Sequence, residues 1–250
     1  MAESRSKEQE RFEGDRLTEE QRKTDETTHE NCDQEQVSIL ERALEVYGVH
    51  DAGGKAVMMT RYLEILRKRR AWAGLSSTSL STDPYAAVQD SLEVLSVVRC
   101  GTVKKVADLG SGGGLVGVVL AIACEEWSVT LVESGSRKSA VLAEVVGALG
   151  LANVEVYNDR AESLVGSREF EVVVSRAAGR LEKISPVAIG LLERGGRYVA
   201  LKGSGVDREI KEAMPVLEAL GARLIEVAAP LPEGSPGLAC RVSLVVIDKI

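Results

Sequence analysis

Asp108, Gly110, Gly112 and Gly114 stand within the run Val106-Ala-Asp-Leu-Gly-Ser-Gly-Gly-Gly114, and Glu133 follows 23 residues after Gly110. Glycines let a ligand lie directly against backbone N–H groups, and an acid one strand further on can accept both hydroxyls of a ribose. These are the parts of a nucleotide-type cofactor site. The apolar run from Val106 reads as a buried strand, and Leu115 to Ile122 as the helix whose N-terminal amides face the ligand. NAD enzymes, flavoproteins and enzymes that use S-adenosylmethionine (SAM) all carry such a turn. The dinucleotide fingerprint G-x-G-x-x-G needs glycine at position 115, where this chain has Leu115. The spacing G-x-G-x-G, with Asp108 two residues ahead of Gly110, is instead the SAM form of the loop.

Further candidates stand at the ends of later strands. Asn158-Asp-Arg-Ala-Glu162 lies where an adenine is held in such folds, and a backbone amide near Ala161 or Glu162 can bond the ring edge. A short helix start capped by Asp159 explains the same residues equally well. Ser175-Arg176-Ala177 ends the fourth expected strand and faces the same crevice, because ligands of open α/β sheets bind beyond the strands' carboxyl ends. An arginine there, in place of an acidic or Asn-Pro-Pro motif, suits a nucleophile that needs no proton removed, such as guanine N7. Lys202-Gly203 follows the fifth strand and adds a second positive charge. The run Arg67-Lys-Arg-Arg70 ends a helix and is either an RNA-facing patch or a solvated helix end.

The elements that must position these residues are legible from periodicity. Val37, Leu40, Leu44 and Tyr47 repeat at helical spacing, a second helix spans about 55–70, and a third about 84–98 opens on Pro84. From Val103 strands and helices alternate, the pattern of a parallel sheet covered on both faces. Strands are predicted near 104–109, 128–133, 153–157, 170–175, 196–201, 222–229 and 239–248, with helices near 115–125, 136–149, 160–165, 179–193 and 206–220. The last two strands, joined through a Pro/Gly-rich turn at 230–237, suggest a closing antiparallel hairpin. The predicted fold is therefore α/β, a Rossmann-like sheet of seven strands with an N-terminal helical extension. The expected divisions are a charged tail over 1–36, the extension over 37–100 and the sheet domain over 101–250.

Composition narrows the class. The chain has 250 residues, a hydrophobic content of 44% and a net charge of −7. Residues 1–36 hold 12 acids and 6 bases, leaving the remaining 26 acids and 25 bases nearly balanced, so a basic face is compatible with the acidic total. No apolar run is long enough to span a membrane, and the charged N-terminus predicts no secretory signal and a cytoplasmic protein. The four scattered cysteines are expected to be reduced thiols, and two histidines are too few for a histidine metal cluster, so no metal is expected.

The segments VADLGSGGGLVG, TLVES, NDRAESL, VVSRA and GGRYVALKG, in this order and spacing, resemble the bacterial 16S ribosomal RNA guanine-N7 methyltransferases, the glucose-inhibited-division protein B family, over roughly Val37 to Ile250. The resemblance implies a SAM-dependent methyltransferase fold with an N-terminal helical extension, SAM as cofactor, and methylation of one guanine N7 near the ribosomal decoding region. Carried across, it places Gly110 and Leu115 against the cofactor, Glu133 on its ribose, Ala161 and Glu162 beside its adenine, and Arg176 on cofactor or substrate. The family's Phe-Pro-Gly is Leu115-Val116-Gly117 here, its Trp-Asn is Arg69-Arg70, and its His-x-x-Asp-Ser-Leu keeps Asp90-Ser91-Leu92 but has Ala87 for the histidine.

The expected reaction is in-line displacement by guanine N7, which needs no general base and rests on positioning and electrostatics. Arg67, Lys68, Arg69, Arg70 and Lys202 are the expected RNA contacts, with 16S ribosomal RNA or a small-subunit assembly particle as partner. A monomer that binds neither DNA nor membrane is expected. A methyltransferase for another RNA base or a small molecule, and a non-catalytic SAM- or RNA-binding assembly factor, remain open as alternatives.

Overall fold

The computed structural model describes residues 34–75, 83–99, 103, 105–203, 205–228 and 242–250. Of the tail expected over 1–36, residues 1–33 lie outside the described residues, as do a Ser/Thr-rich stretch over 76–82 and the Pro/Gly-rich turn over 230–237. Helix α1 covers 34–46, beginning ahead of Val37. Helix α2 (Ala52–Ala73), α3 (Pro84–Leu92) and the short α4 (Val94–Val97) complete the extension. The third predicted helix is thus split at Glu93, where Ser91 Oγ donates back to Ala87 O at 2.8 Å, a bond that competes with regular helix bonding.

The remainder alternates β1 (Lys105–Leu109), α5 (Gly117–Ala123), β2 (Ser128–Val132), α6 (Ser136–Leu149), β3 (Val154–Tyr157), a 3₁₀ turn (Ala161–Leu164), β4 (Phe170–Arg176), α7 (Leu181–Leu191), β5 (Leu192–Lys202), α8 (Val206–Ala219), β6 (Ala222–Ala228) and β7 (Ser243–Lys249). The strands form one sheet in the order β3-β2-β1-β4-β5-β7-β6. β7 runs antiparallel between β5 and β6, as the predicted closing hairpin requires, while the other neighbouring pairs are parallel. The order reverses between β1 and β4, so the crevice beyond Leu109 and Arg176 is the switch point where such sheets take ligands.

Each central strand is buried on both faces and so reads as an unbroken apolar run. One face packs α5 and α6 together with α1, α2 and α3 around Tyr62, Leu66, Leu92 and Trp127, while the other packs α7 and α8 around Tyr198, Ile189 and Leu217. The extension is therefore continuous with the core of the sheet. Polar links tie it down. Lys55 Nζ donates to Ala123 O at the end of α5 (3.0 Å), Arg69 forks onto Glu144 of α6, and Arg197 of β5 donates to Val97 O (2.8 Å). Cys124, just past α5, is disulfide-bonded, which corrects the expectation of reduced thiols; Cys32, Cys100 and Cys240 lie outside the described residues.

Glu93, buried where α3 meets α4, has one carboxylate oxygen without a hydrogen-bond partner. Burial, and secondarily the nearby Asp90, push its carboxyl up to about 7, against a stabilising bond from Tyr47. A carboxyl raised on folding holds its proton better in the native state, so stability falls as pH climbs from the ordinary carboxylate range through 7. Glu93→Gln removes that titration. Its melting temperature relative to the parent should rise between pH 5 and pH 8, equivalent to roughly 1–3 kcal/mol. A gap independent of pH in paired thermal scans would show that Glu93 is already ionised across the range.

Candidate cofactor site

The loop between β1 and α5 has backbone N–H groups to satisfy and three residues, Gly110, Gly112 and Gly114, at positive φ. Val132 O takes the Gly110 and Ser111 N–H groups, Ser111 O takes that of Gly114, and two carboxylates add to the holding. Asp108, at the end of β1, accepts from Gly117 N at 2.9 Å and so caps the start of α5. Glu133, just beyond β2, accepts from Gly112 N at 2.9 Å through one oxygen and from Gly135 N at 2.8 Å through the other. Glu133 is itself fixed through its backbone, with its N–H on Tyr157 O and its carbonyl accepting from Asn158 Nδ2 and Ser139 Oγ. Burial, with the neighbouring Glu133 adding to it, raises the Asp108 carboxyl to about 7 despite the Gly117 bond.

Gly117 is required by close approach. A Cβ there would lie 2.2 Å from Leu131 Cδ2 and 2.9 Å from Asp108 Cβ, so α5 can press against β1 and β2 only without one. This is the packing service of the third fingerprint glycine, displaced by two positions from 115. Gly112 is different, because at φ +59° a Cβ would meet nothing nearer than Gly110 O at 3.8 Å. The space over Gly112 is open, as a cofactor cradle must be.

The rim brings in residues that sequence periodicity concealed. Tyr62 of α2, fully buried, donates its hydroxyl to Gly113 O at 2.8 Å, so the extension touches the glycine loop directly. Its phenol is raised well above the ordinary range by burial and then by Asp108, which keeps it a donor. A Cβ on Gly113 would sit 3.4 Å from Leu66 Cδ1, so α2 also covers the loop with apolar atoms. Tyr62 and Leu66 belong to an ordinary buried stripe, and nothing in their spacing marks them as site residues. Ala177, directly after β4, has φ +54°, a strained value outside glycine, and Ala178 closes on Gly110 from that side.

The sequence-derived residues divide. Asp108, Gly110, Gly112 and Glu133 come together beside the switch point, while Gly114, in the same loop, is buried against Val118 and Leu142. Leu115 is 9% exposed and belongs to the core cluster. Ala161 and Glu162 open the 3₁₀ turn after β3, and Asp159 bonds Arg160 N without capping that turn. Arg176, read from the sequence as a contact to cofactor or substrate, is also held from within the chain. It donates to Ala87 O at 2.9 Å and to Asp90 Oδ2 at 3.0 Å, with Asp90 almost wholly buried, so it ties β4 to α3. In the sequence Asp90 stands out only as part of the Asp-Ser-Leu segment.

Three of the expected RNA contacts already have partners within the chain. Lys202 is 9% exposed, donating to Gly179 O at 2.6 Å and pairing with Glu209 at 2.7 Å, so it belongs to the interior of the rim. Arg69 lies on the surface with its guanidinium forked onto Glu144. Arg70 bonds Leu75 O where the chain leaves α2. Arg67 and Lys68 are exposed. Among the described residues no group of three His, Cys, Asp or Glu is placed to hold a metal.

The donor set fits SAM. Each Glu133 oxygen spends one lone pair on a backbone N–H and retains another for a ribose hydroxyl, and Gly112 beside it carries no Cβ. The fold matches solved methyltransferases at low identity: a SAM-dependent O-methyltransferase from Thermotoga maritima (TM-score 0.51, 16% identity, 65% of each chain). TrmN from Thermus thermophilus is also similar (TM-score 0.52, 20% identity, 73% of this chain and 53% of that one). These likenesses show the fold alone.

Similarity in sequence is more specific. The protein named ribosomal RNA small subunit methyltransferase G from Nocardioides sp. is 50% identical over 122 residues, 49% of each chain. Its namesake from Laribacter hongkongensis is 32% identical over 174 residues, 69% of this chain and 83% of that protein. The match spans about half the length of the Nocardioides protein and of one from Mycobacterium sp. (strain KMS). The model of the family described as GidB, rRNA small subunit methyltransferase G, matches residues 55–230, from the second helix of the extension to the far side of the sheet. With the glycine loop, its two carboxylates and the extension that closes on it all inside or beside that span, the chain belongs to the rRNA small subunit methyltransferase G (GidB) family.

Proposed function

We propose that this protein transfers the methyl group of SAM to N7 of a guanine in small-subunit (16S) ribosomal RNA, as a cytoplasmic monomer acting on the RNA or on an assembly particle. The observation that carries the reading is the Glu133 carboxylate, which spans Gly112 N and Gly135 N at the switch point of a methyltransferase sheet. SAM supplies an electrophilic methyl carbon on a sulfonium. Glu133 would accept the ribose hydroxyls, and the turn at Ala161 and Glu162 would meet the adenine edge. Gly110 to Gly114 would admit the cofactor to the backbone, while Leu115 supports the loop from the core.

Guanine N7 carries its lone pair at neutral pH, so the chain need supply no base. The end of β4 agrees with that, because Ser175 shares a hydrogen bond with the Tyr198 hydroxyl at 2.8 Å and Arg176 is engaged with Asp90. Arg176 is therefore a positioning residue that holds α3 over the crevice, and its remaining N–H donors are available to a phosphate or a base edge. The work assigned to these residues is binding, orientation and exclusion of water. No helix among the described residues is long and apolar enough to cross a membrane.

Purified protein incubated with labelled SAM and small-subunit particles from a strain lacking this gene should place label on one N7-methylguanosine, mapped by chemical cleavage. Label on another base, or only on small molecules, would overturn the assignment. Glu133→Ala should weaken SAM by roughly 1.5–3 kcal/mol in calorimetry, the scale of hydrogen bonds to a charged group. It should also loosen the loop, seen as faster amide exchange at Gly112. Unchanged affinity would place the cofactor elsewhere. For RNA, Gln at both Arg67 and Lys68 should lower the salt slope of binding by roughly 0.7–0.9 for each phosphate no longer neutralised, and leave SAM affinity alone. Gln at Lys202 should leave that slope unchanged, since its ammonium is held by Glu209.

A further inference from the structure

Helix α2 has two working sides. Tyr62 and Leu66 face the glycine loop, and the opposite side carries Val57, Arg61, Glu64, Lys68 and Trp72 at helical spacing. Trp72 is 54% exposed, whereas Trp127, the chain's other tryptophan, is wholly buried in the core. A tryptophan more than half in water contributes little to the core, and its indole face is available to a flat partner. Lys68 stands one turn before it and Arg61 two turns further back, while Arg67, next to Lys68 in the chain, is turned about 100° around the helix from it. Among the described residues none of these three cations has a hydrogen-bond or ion-pair partner, and Glu64 is the one acid on this side of the helix. Arg69, by contrast, turns away to Glu144.

The geometry points to this face of α2 as a docking strip for single-stranded RNA, with one unpaired base stacked on Trp72 and the flanking phosphates on Arg61 and Lys68. The inference rests on the ribosomal RNA reading above and makes it more specific. An aromatic face takes any base, but only one that has left its helix, and two unpaired cations on the same side of the helix suit the phosphates of a strand rather than an apolar protein surface. The strip lies on the helix that also holds the cofactor loop, so RNA seated there is fixed relative to the crevice.

The two tryptophans make the test direct. Emission of the full-length protein comes from buried Trp127 and exposed Trp72, and only Trp72 can meet a base. Titration with a short single-stranded oligoadenylate should quench the exposed component, and the quench should vanish in Trp72→Phe if that component is its source. Trp72→Ala should weaken binding of this oligonucleotide by about tenfold, the scale of one base–aromatic stack, and change binding of a blunt RNA duplex little. Its SAM affinity should equal the parent's, which checks folding. Arg61→Gln and Lys68→Gln should each reduce the salt slope by roughly 0.7, the single-strand value per phosphate. Oligonucleotide binding that keeps its salt dependence but neither quenches Trp72 nor responds to Trp72→Ala overturns the stacking strip while leaving the RNA reading intact. No binding of either RNA or small-subunit particles at low salt overturns both.

Discussion

Three backbone N–H groups, those of Gly112, Gly117 and Gly135, end on two carboxylates, and the crevice depends on that arrangement. A loop that passes through left-handed conformations has no continuous ladder of backbone bonds as a helix or strand does. Gly110 and Ser111 donate to Val132 O and Gly114 to Ser111 O, and the Gly112 donor between them finds a side-chain acceptor. Asp108 and Glu133 are available because β1 and β2 end side by side, so the sheet register, Asp108 opposite Leu131 and Leu109 opposite Val132, delivers both acids to the same loop. Burying two carboxylates together is unfavourable unless they are well bonded, and the raised Asp108 carboxyl records that tension. The strain is local to the site and is offset by the apolar packing of β1, α5 and β2 beneath it.

The helical extension turns this loop from a surface feature into an enclosed one. Tyr62 bonds Gly113 from above, Leu66 and Leu75 cover it, and Arg176 with Asp90 fastens α3 to the end of β4. A buried charged pair contributes little net stability compared with apolar packing, but losing one member leaves the other unpaired at a cost of roughly 3–5 kcal/mol. Asp90 and Arg176 are thus a device for registration. They fix where the extension sits, which packing alone would leave free to slide.

Much of this is legible without coordinates. The buried strands, the helices between them and the antiparallel last strand follow from runs and periodicities, and Asp108, the glycines and Glu133 from spacing. What stays hidden depends on pairing between distant segments. Arg176 and Lys202 at strand ends look like free cations, because Asp90 lies 86 residues from Arg176 and Glu209 is on a following helix whose facing side is unknown until it packs. Tyr62 hides for the opposite reason, since a buried tyrosine in an apolar stripe is ordinary core until its hydroxyl finds a carbonyl. The Arg67 to Arg70 run reads as one unit, yet a helix turns successive residues to different sides. Two of the four are engaged with Glu144 and Leu75 O as a result.

Helix α2 therefore has a role that no single residue on it discloses. Rotating about 100° per residue, it presents Tyr62 and Leu66 to the glycine loop and Arg61, Lys68 and Trp72 to solvent. Lys55 and Arg69 pin it to α5 and α6 along its length. Such a helix cannot shift at one face without shifting at the other. Whatever binds along its outer side is held at a fixed offset from the Gly113 carbonyl on its inner side, and through Gly112 from Glu133. A methyl transfer that recruits no base from the protein relies on that kind of rigid offset, because placing the nucleophile is most of what remains for the protein to do.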